Sequence, residues 1–577
     1  MNERSPGRKW KKMALWLPLV ITAVAYLSTC NRAVIDYDEA HYAQAALQMV
    51  ERGDWVTPYD NGVRFLEKPP FMYWVTAAGF RVFGVSEFAL RLPTALGVLI
   101  LVWVVMLMAR SAGGEMAAVI AGLCTSLSAG VFLFTRESLH DIWLVLFLTT
   151  AMYAFLRWYL DQPHSLRHAL LFYGAMAGAV MTKSLVGIAF PVGIVGLFFL
   201  LRREWPDWRR LHIVPGLALF LALTLPWHWL AAMRNQDFLW SFFLNEQILR
   251  FFGKHDPPIL WSIPLLVFWG LIPVWFFPWT AFLPAALNNL RKPGTRDQAT
   301  IQRLALAWLI VILGFYAVSA RLEHYAFPLL PALALLVGMT LSRTDRDAAA
   351  ARGFRALAIL GGVLLVAGTG TGIWLLSSSH GAGDAAATRM GVIRSTDFSI
   401  LADMPGTMQW ELRKPAVVTV LSLAAAFWAA FRLEKRQRRL PAILGLAAGM
   451  LILCAMIQWS LVICEDLISS RKFGLAVARE ARPGDHLVVL GDYESANSIS
   501  FYQPLLVQVS DGVAYSLVPG MKYPDAPRIV LPVDEFHALW RAGERVFVLL
   551  PKTRVRELSP AGTGVLEVLD RVLVRNR

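Results

Sequence analysis

The chain has 577 residues, 56% hydrophobic and only 17% charged, where a soluble chain carries about a quarter of its residues as charges. Repeated apolar runs of about 20 residues, each long enough to cross roughly 30 Å of hydrocarbon, exclude a soluble globular protein and point to a polytopic membrane protein. The net charge of +14 does not indicate nucleic acid, because the basic residues sit in short blocks between apolar runs and not on one continuous face.

In chain order, a basic tail (Arg4, Arg8, Lys9, Lys11, Lys12) precedes an apolar run from Met13 to Leu27, the layout of an uncleaved signal-type first helix. With 13–30 as the first, apolar runs follow at 88–109, 114–134, 139–160, 167–182, 185–202, 212–232, 259–284, 302–319, 323–342, 353–377, 414–433 and 440–463. They predict about thirteen membrane-spanning helices. That number is consistent with the positive-inside rule. With the N-terminus cytoplasmic, the basic blocks at Arg157/Arg167, Arg202–Arg210, Arg291–Arg303, Arg343–Arg355 and Arg432–Arg439 all fall on the cytoplasmic side. The loops 31–87, 135–138, 233–258 and 378–413 then fall outside.

In the first outer loop, Asp38 to Arg52 carries apolar residues at Ala43, Ala46, Leu47, Met49 and Val50. This predicts a short helix lying along the membrane surface. Gly53 stops it, and Pro58, Gly62 and Pro69-Pro70 mark turn-rich chain. After Cys464, short apolar runs at 486–491, 504–509 and 545–550 alternate with helical patterns near 469–481 and 533–541. They predict a small soluble α/β domain over 466–577, behind a transmembrane domain over 1–465 that includes the loop 31–87. Cys30, Cys124, Cys454 and Cys464 show no CxxC or metal spacing and read as small buried apolar residues. A Cys30–Cys464 bridge on one membrane face is the pairing open to them.

The outer loops concentrate the chemistry. Asp36, Asp38 and Glu39 crowd together at the bilayer boundary, where charge is costly unless it meets water, a partner or a substrate. Asp38 either caps a helix starting at Glu39 or belongs to a functional set. Crowded acids also need a cation, for which Arg32, Lys68, Arg136 and Lys183 are candidates. Glu67-Lys68-Pro69-Pro70 fixes the direction of a carboxylate and an ammonium with two prolines. Asp141 follows Arg136 at a helix start, where it either compensates the helix dipole or acts in a site. Lys183 either snorkels or binds an anion. Arg250 and His255 follow Glu246, and Arg321, Glu323, His324 and Tyr325 fill a very short loop, with a plain surface charge pair as the alternative. Arginine and lysine around a membrane-level cavity suit a lipid-borne phosphate. Carboxylates nearby suit a sugar hydroxyl, an amine or a metal. No Walker loop or βαβ GxGxxG is present, so the energy source is an activated lipid donor. A transporter is the reading from another class. It would carry paired broken helices in two halves, a repeat this sequence does not show.

The segments D-Y-D-E-A-H-Y, G-D-W-V-T-P, E-K-P-P-F-M-Y-W and F-G-V-S-E-F-A-L-R-L-P-T over 32–95, with T-K-S-L-V-G (182–187), L-P-W (225–227) and S-A-R-L-E-H-Y-A-F-P (319–328), resemble the dolichyl-phosphate-mannose protein mannosyltransferase-like superfamily. Within it they most resemble the bacterial 4-amino-4-deoxy-L-arabinose transferases that modify lipid A. The resemblance fades after 465. It implies a GT-C-type polyprenyl-phosphate-sugar glycosyltransferase of the bacterial inner membrane, with its site and C-terminal domain periplasmic. Undecaprenyl-phosphate-linked sugar, lipid A and membrane lipids are then the partners, a monomer the expected state, and polymyxin resistance the consequence. It also implies Asp38, Lys68 and Asp141 as catalytic or donor-binding positions. Asp36, Glu39, Tyr42, Tyr59, Glu67, Arg136, Lys183, Arg250, His255, Arg321 and Tyr325 are the further substrate-binding candidates. Many relatives have lysine where this chain has Arg321. No cofactor is certain; a divalent metal on Glu67 with His255 or His324 is conceivable, although the spacing does not support it. The acceptor is either a phosphate or, in a relative with another envelope substrate, a hydroxyl.

Overall fold

The computed structural model describes residues 6–161, 165–205, 207–255, 262–292, 294–343, 348–377, 404–558 and 562–577. Most of the predicted outer loop 378–413, the Pro257-Pro258 pair, the start of the run 259–284 and Arg4 lie outside the described residues. The chain divides into two compact units. One comprises Met1–Thr29, Leu92–Gly372 and Val417–Met456, and the other Cys30–Arg91, Ile373–Ala416 and Ile457–Arg577. The sequence groups the first outer loop with the membrane part; by contacts it belongs with the C-terminal domain.

The first unit is helical. Among the described residues of the chain, eight helices are long and apolar enough to cross a membrane, or nine if the pair Leu265–Trp275 and Trp279–Asn289, bent by 93°, is one span. This is fewer than the thirteen expected, because several apolar runs make shorter helices, such as Ala14–Leu27 and Val186–Arg202. The runs 88–109 and 114–134 give two helices that meet across a kink within Glu87–Ser126, at Gly114, whose φ of 73° is open to glycine and strained for other residues; Ala129–Phe134 follows as a separate short helix. Asp141–Leu160 and Leu166–Lys183 pack on each other as a helical hairpin. That arrangement puts the start of one helix beside the end of the next.

In the second unit, helix Asp38–Arg52 ends at Gly53 in the left-handed conformation, φ 68°. Every residue from Glu39 to Met49 is buried, so the helix is not the surface-lying one that its mixed face predicts. It packs on helix Phe71–Phe83, on the hairpin of β1 (Tyr59–Asp60) and β2 (Val63–Arg64), and on the short helix Ile499–Tyr502. Several of its polar side chains meet protein groups: Glu39 meets Arg91, His41 meets Asp60 and Gln48 meets the Gly62 amide.

The C-terminal part is an α/β domain with β3 (His486–Leu490), β4 (Val507–Ser510), β5 (Val530–Leu531), β6 (Val546–Pro551), β7 (Thr563–Val568) and β8 (Arg571–Arg575), in the order β5-β4-β3-β6-β8-β7. The first four strands in that order are parallel; β8 runs antiparallel to β6, and β7 to β8. The unbroken apolar runs of β3 and β6 are those of central parallel strands covered on both faces. On one face Val488, Val546 and Val548 pack with Phe536 and Trp540 of helix Val533–Arg541. The runs at 486–491, 504–509 and 545–550 become β3, β4 and β6. The two-residue β5 and the irregular β7–β8 pair have no comparable run. None of the four cysteines forms a disulfide, so Cys30 and Cys464 are not bridged.

Candidate active site

The three crowded carboxylates of the second unit go to three different environments. Asp36 is buried and accepts from the Ser498 amide at 2.9 Å and the Ser470 hydroxyl at 3.1 Å. Burial pushes its carboxyl up to about 6, against the pull of Arg571 and these hydrogen bonds. Glu39 is fully buried and accepts from Arg91 Nε at 2.8 Å, Arg91 Nη2 at 2.6 Å and the Ile35 amide at 2.9 Å. Burial works to raise its pKa, but Arg91 outweighs it and holds the carboxyl below the ordinary value. Arg91 also donates to the backbone carbonyls of Cys30, Arg32 and Ala33. It is therefore the cation bonded to Glu39, which the sequence did not offer; Arg32, one of the four it did, also acts on Glu39. The signal for Arg91 was an arginine at the head of an apolar helix.

Asp38 is the exception. It is the first residue of its helix and exposed, and its side chain makes no hydrogen bond or ion pair with any described residue. The N-cap position belongs to Tyr37, with no side-chain capping bond, so Asp38 does not serve as the cap. Tyr37 sits at φ 73°, ψ −128°, a conformation that costs a non-glycine residue about 1–3 kcal/mol.

The remaining candidates of this unit are packed or paired. Tyr42 lies against the Phe65 and Tyr73 rings, and Arg52 stacks on Tyr59 at 4.1 Å. Glu67 and Lys68 form a half-buried ion pair at 2.5 Å just ahead of helix Phe71–Phe83. A cluster not anticipated from sequence joins His41 Nδ1 to Asp60, whose other oxygen accepts from the Tyr493 hydroxyl at 3.0 Å. Burial works to lower the His41 pKa, but Asp60, with Glu494 and Asp38 beyond it, raises it to about 9.

In the first unit, the helical hairpin sets Asp141, at one helix start, 2.7 Å from Lys183 Nζ, at the other helix end. Each charge also suits the dipole of its own helix. His324 Nε2 stands 3.8 Å from the second Asp141 oxygen, and the Lys183 ammonium lies 4.8 Å from the Tyr325 ring centre. The Tyr325 hydroxyl accepts from Arg250 at 3.2 Å. Arg250 and His255 both pair with Glu246, at 2.9 Å and 2.6 Å. Glu246 rides on a π-helix, Leu239–Leu249, a geometry frequent at functional sites. The result is a connected chain of Asp141, Lys183, Tyr325, Arg250, Glu246 and His255. Two candidates are tied differently. Arg321 donates to the Tyr316 carbonyl at 3.2 Å. Arg136 is buried, donating to the Phe132 carbonyl at 3.0 Å and to Thr29, with its guanidinium 4.0 Å from the Phe132 ring. Among the described residues no group of three or more His, Cys, Asp or Glu is placed to hold a metal. His255 pairs with Glu246, and His324 faces Asp141.

A family profile described as dolichyl-phosphate-mannose-protein mannosyltransferase matches residues 67–229. Two curated relatives are each named undecaprenyl phosphate-alpha-4-amino-4-deoxy-L-arabinose arabinosyl transferase. The one from Yersinia pestis (strain Pestoides F) is 31% identical over 343 residues, covering 56% of this chain and 58% of the relative. The one from Pseudomonas aeruginosa (strain UCBPP-PA14) is 33% identical over 317 residues, covering 53% and 55%. The chain thus spans just over half the length of these relatives. The crystal structure of ArnT from Cupriavidus metallidurans bound to undecaprenyl phosphate matches with a TM-score of 0.79 at 25% identity, over 99% of this chain and 98% of that one. The chain has the fold of this ArnT. The apo form of the same ArnT matches equally, TM-score 0.79 at 26% identity. The matched profile takes in Lys68, Arg136, Asp141 and Lys183 but not Asp38 or Arg250.

The His41 cluster predicts a pH dependence of the second unit. A pKa raised on folding contributes stability that is complete below the unfolded value of about 6.5 and is lost as pH rises through about 9. Asp36, raised to about 6, acts in the same direction at lower pH. The thermal midpoint of the purified protein should fall between pH 6.5 and 9, and Asp60→Asn should flatten that slope. An unchanged slope in the variant excludes the cluster as its source.

Proposed function

We propose that this chain moves 4-amino-4-deoxy-L-arabinose from undecaprenyl phosphate to phosphate groups of lipid A, with inversion, at the periplasmic face of the bacterial inner membrane. The observation that carries this reading is the fold match over 98% of an ArnT solved with undecaprenyl phosphate; the names of the curated relatives support it. The basic blocks between spans support a cytoplasmic N-terminus. An amino sugar placed on a phosphate adds positive charge to the lipid surface and weakens its attraction for cationic peptides such as polymyxin.

In direct displacement, an acceptor phosphate oxygen attacks the anomeric carbon as the bond from that carbon to the donor phosphate breaks. Undecaprenyl phosphate leaves with the bonding electrons. The acceptor oxygen is already ionised near neutral pH and needs little general-base help. Asp38 then orients the acceptor or sugar and stabilises positive charge developing at the anomeric carbon. The departing phosphate needs cations, and Lys183 and Arg250 are the ones held in a connected polar chain. Asp141 holds the Lys183 ammonium in place. Lys183→Ala should lower kcat/KM by about 10²-fold, the worth of one charge-assisted hydrogen bond of about 2–3 kcal/mol.

The test supplies purified protein with undecaprenyl-phosphate aminoarabinose and lipid A, and follows both lipids by mass spectrometry. A mass gain on lipid A matched by loss from the donor is the expected result. Transfer only to a hydroxyl acceptor, or no donor consumption at all, overturns the reading.

A further inference from the structure

The backbone just before Asp38 is held from far along the chain. Asn497, buried in the C-terminal domain, accepts from the Tyr37 amide through Oδ1 at 2.8 Å and donates to the Tyr37 carbonyl through Nδ2 at 3.0 Å. This two-point clamp uses one donor and one acceptor, so only one orientation of the amide satisfies it. Three neighbouring bonds act in the same direction. The Asp36 amide donates to the Ile468 carbonyl at 2.9 Å, the Ser498 amide donates to the Asp36 carboxylate at 2.9 Å, and the Val34 amide donates to the Tyr502 hydroxyl at 2.8 Å. The clamped residue is also the one with the strained backbone, φ 73°. A Tyr37 that relaxed to ordinary backbone angles would turn the first helical residue away from its present direction.

We propose that Asn497 is a positioning residue for Asp38: its side-chain amide holds Tyr37 in its strained, positive-φ conformation and thereby aims the exposed Asp38 carboxylate. The inference rests on the reading that Asp38 acts in sugar transfer. It gives the C-terminal domain, outside the resemblance seen in sequence, a part in the reaction. Ser498 and Ser470 fix Asp36 on one side of Tyr37, and Asn497 fixes Tyr37 itself, so the aim of Asp38 depends on the domain being docked on its own unit's N-terminal segment.

The test is a double-mutant cycle on the full-length protein, with undecaprenyl-phosphate aminoarabinose and lipid A as substrates. Asn497→Ala should lower kcat by about 10²-fold, the scale of a misplaced catalytic group, with donor KM within about threefold. Asn497→Asp, which keeps an acceptor for the Tyr37 amide but loses the donor to its carbonyl, should fall between the two. In the Asp38→Asn background, Asn497→Ala should cost little more, because the group it aims is already gone. Equal loss in both backgrounds, or wild-type kcat in Asn497→Ala, overturns the proposal. Should Asn497→Ala not fold, the cycle is run with Asn497→Asp and read in the same way. Wild-type transfer by Asp38→Asn alone is a distinct outcome: it removes the role of Asp38 and the proposal with it.

Discussion

Asp38→Asn should lower kcat for sugar transfer about 10³-fold while the thermal midpoint and helix content stay at wild-type values. The expectation joins two observations. Asp38 is the carboxylate of its trio that faces outward with no partner among the described residues, and it stands on a helix whose residues Glu39 to Met49 are buried. A group held on so rigid a base is already oriented when charge develops, and removing one such electrostatic contact typically costs about 10²–10³ in rate. Its share in stability is small, because a surface acid in the first turn of a helix contributes only about 0.3–1 kcal/mol. Mass spectrometry of donor and acceptor lipids gives the rate, and circular dichroism during a thermal ramp gives the fold. A variant with near-wild-type turnover would show that the exposed carboxylate takes no part.

The second large effect is on stability. Arg91→Met should destabilise the second unit by about 3–5 kcal/mol, the cost of breaking a buried ion pair by removing one partner. Arg91 is 5% exposed and Glu39 fully buried. The substitution leaves the Glu39 carboxylate charged without its cation, and it takes the donors from three backbone carbonyls. Glu39→Leu combined with Arg91→Met should recover part of the loss, since it removes the stranded charge but not the orphaned carbonyls. Thermal unfolding in detergent, monitored by the burial of tryptophans in this unit, separates the three proteins. If Arg91→Met melts with the wild type, the pair is not a structural tie.

Local chain properties determined a large part of this protein. Apolar runs long enough for a bilayer marked the helices, because hydropathy over about 20 residues is a property of contiguous sequence. The unbroken runs of β3 and β6 and the moderately amphipathic patterns at 469–481 and 533–541 marked the α/β domain for the same reason. Motif residues such as Asp38, Lys68 and Asp141 could be singled out because their charges stand beside apolar chain. What only the tertiary structure decided is which charge meets which. Asp36, Asp38 and Glu39 are near neighbours in sequence, yet one turns to Ser470 and Ser498, one to solvent and one to Arg91. Successive residues at a helix start point in different directions, and their partners lie up to some hundreds of residues away, so no local pattern could assign them. The helix Asp38–Arg52 reads as a surface helix for the same reason, since the groups that meet its polar residues arrive from Asp60, Arg91 and, far along the chain, Tyr493.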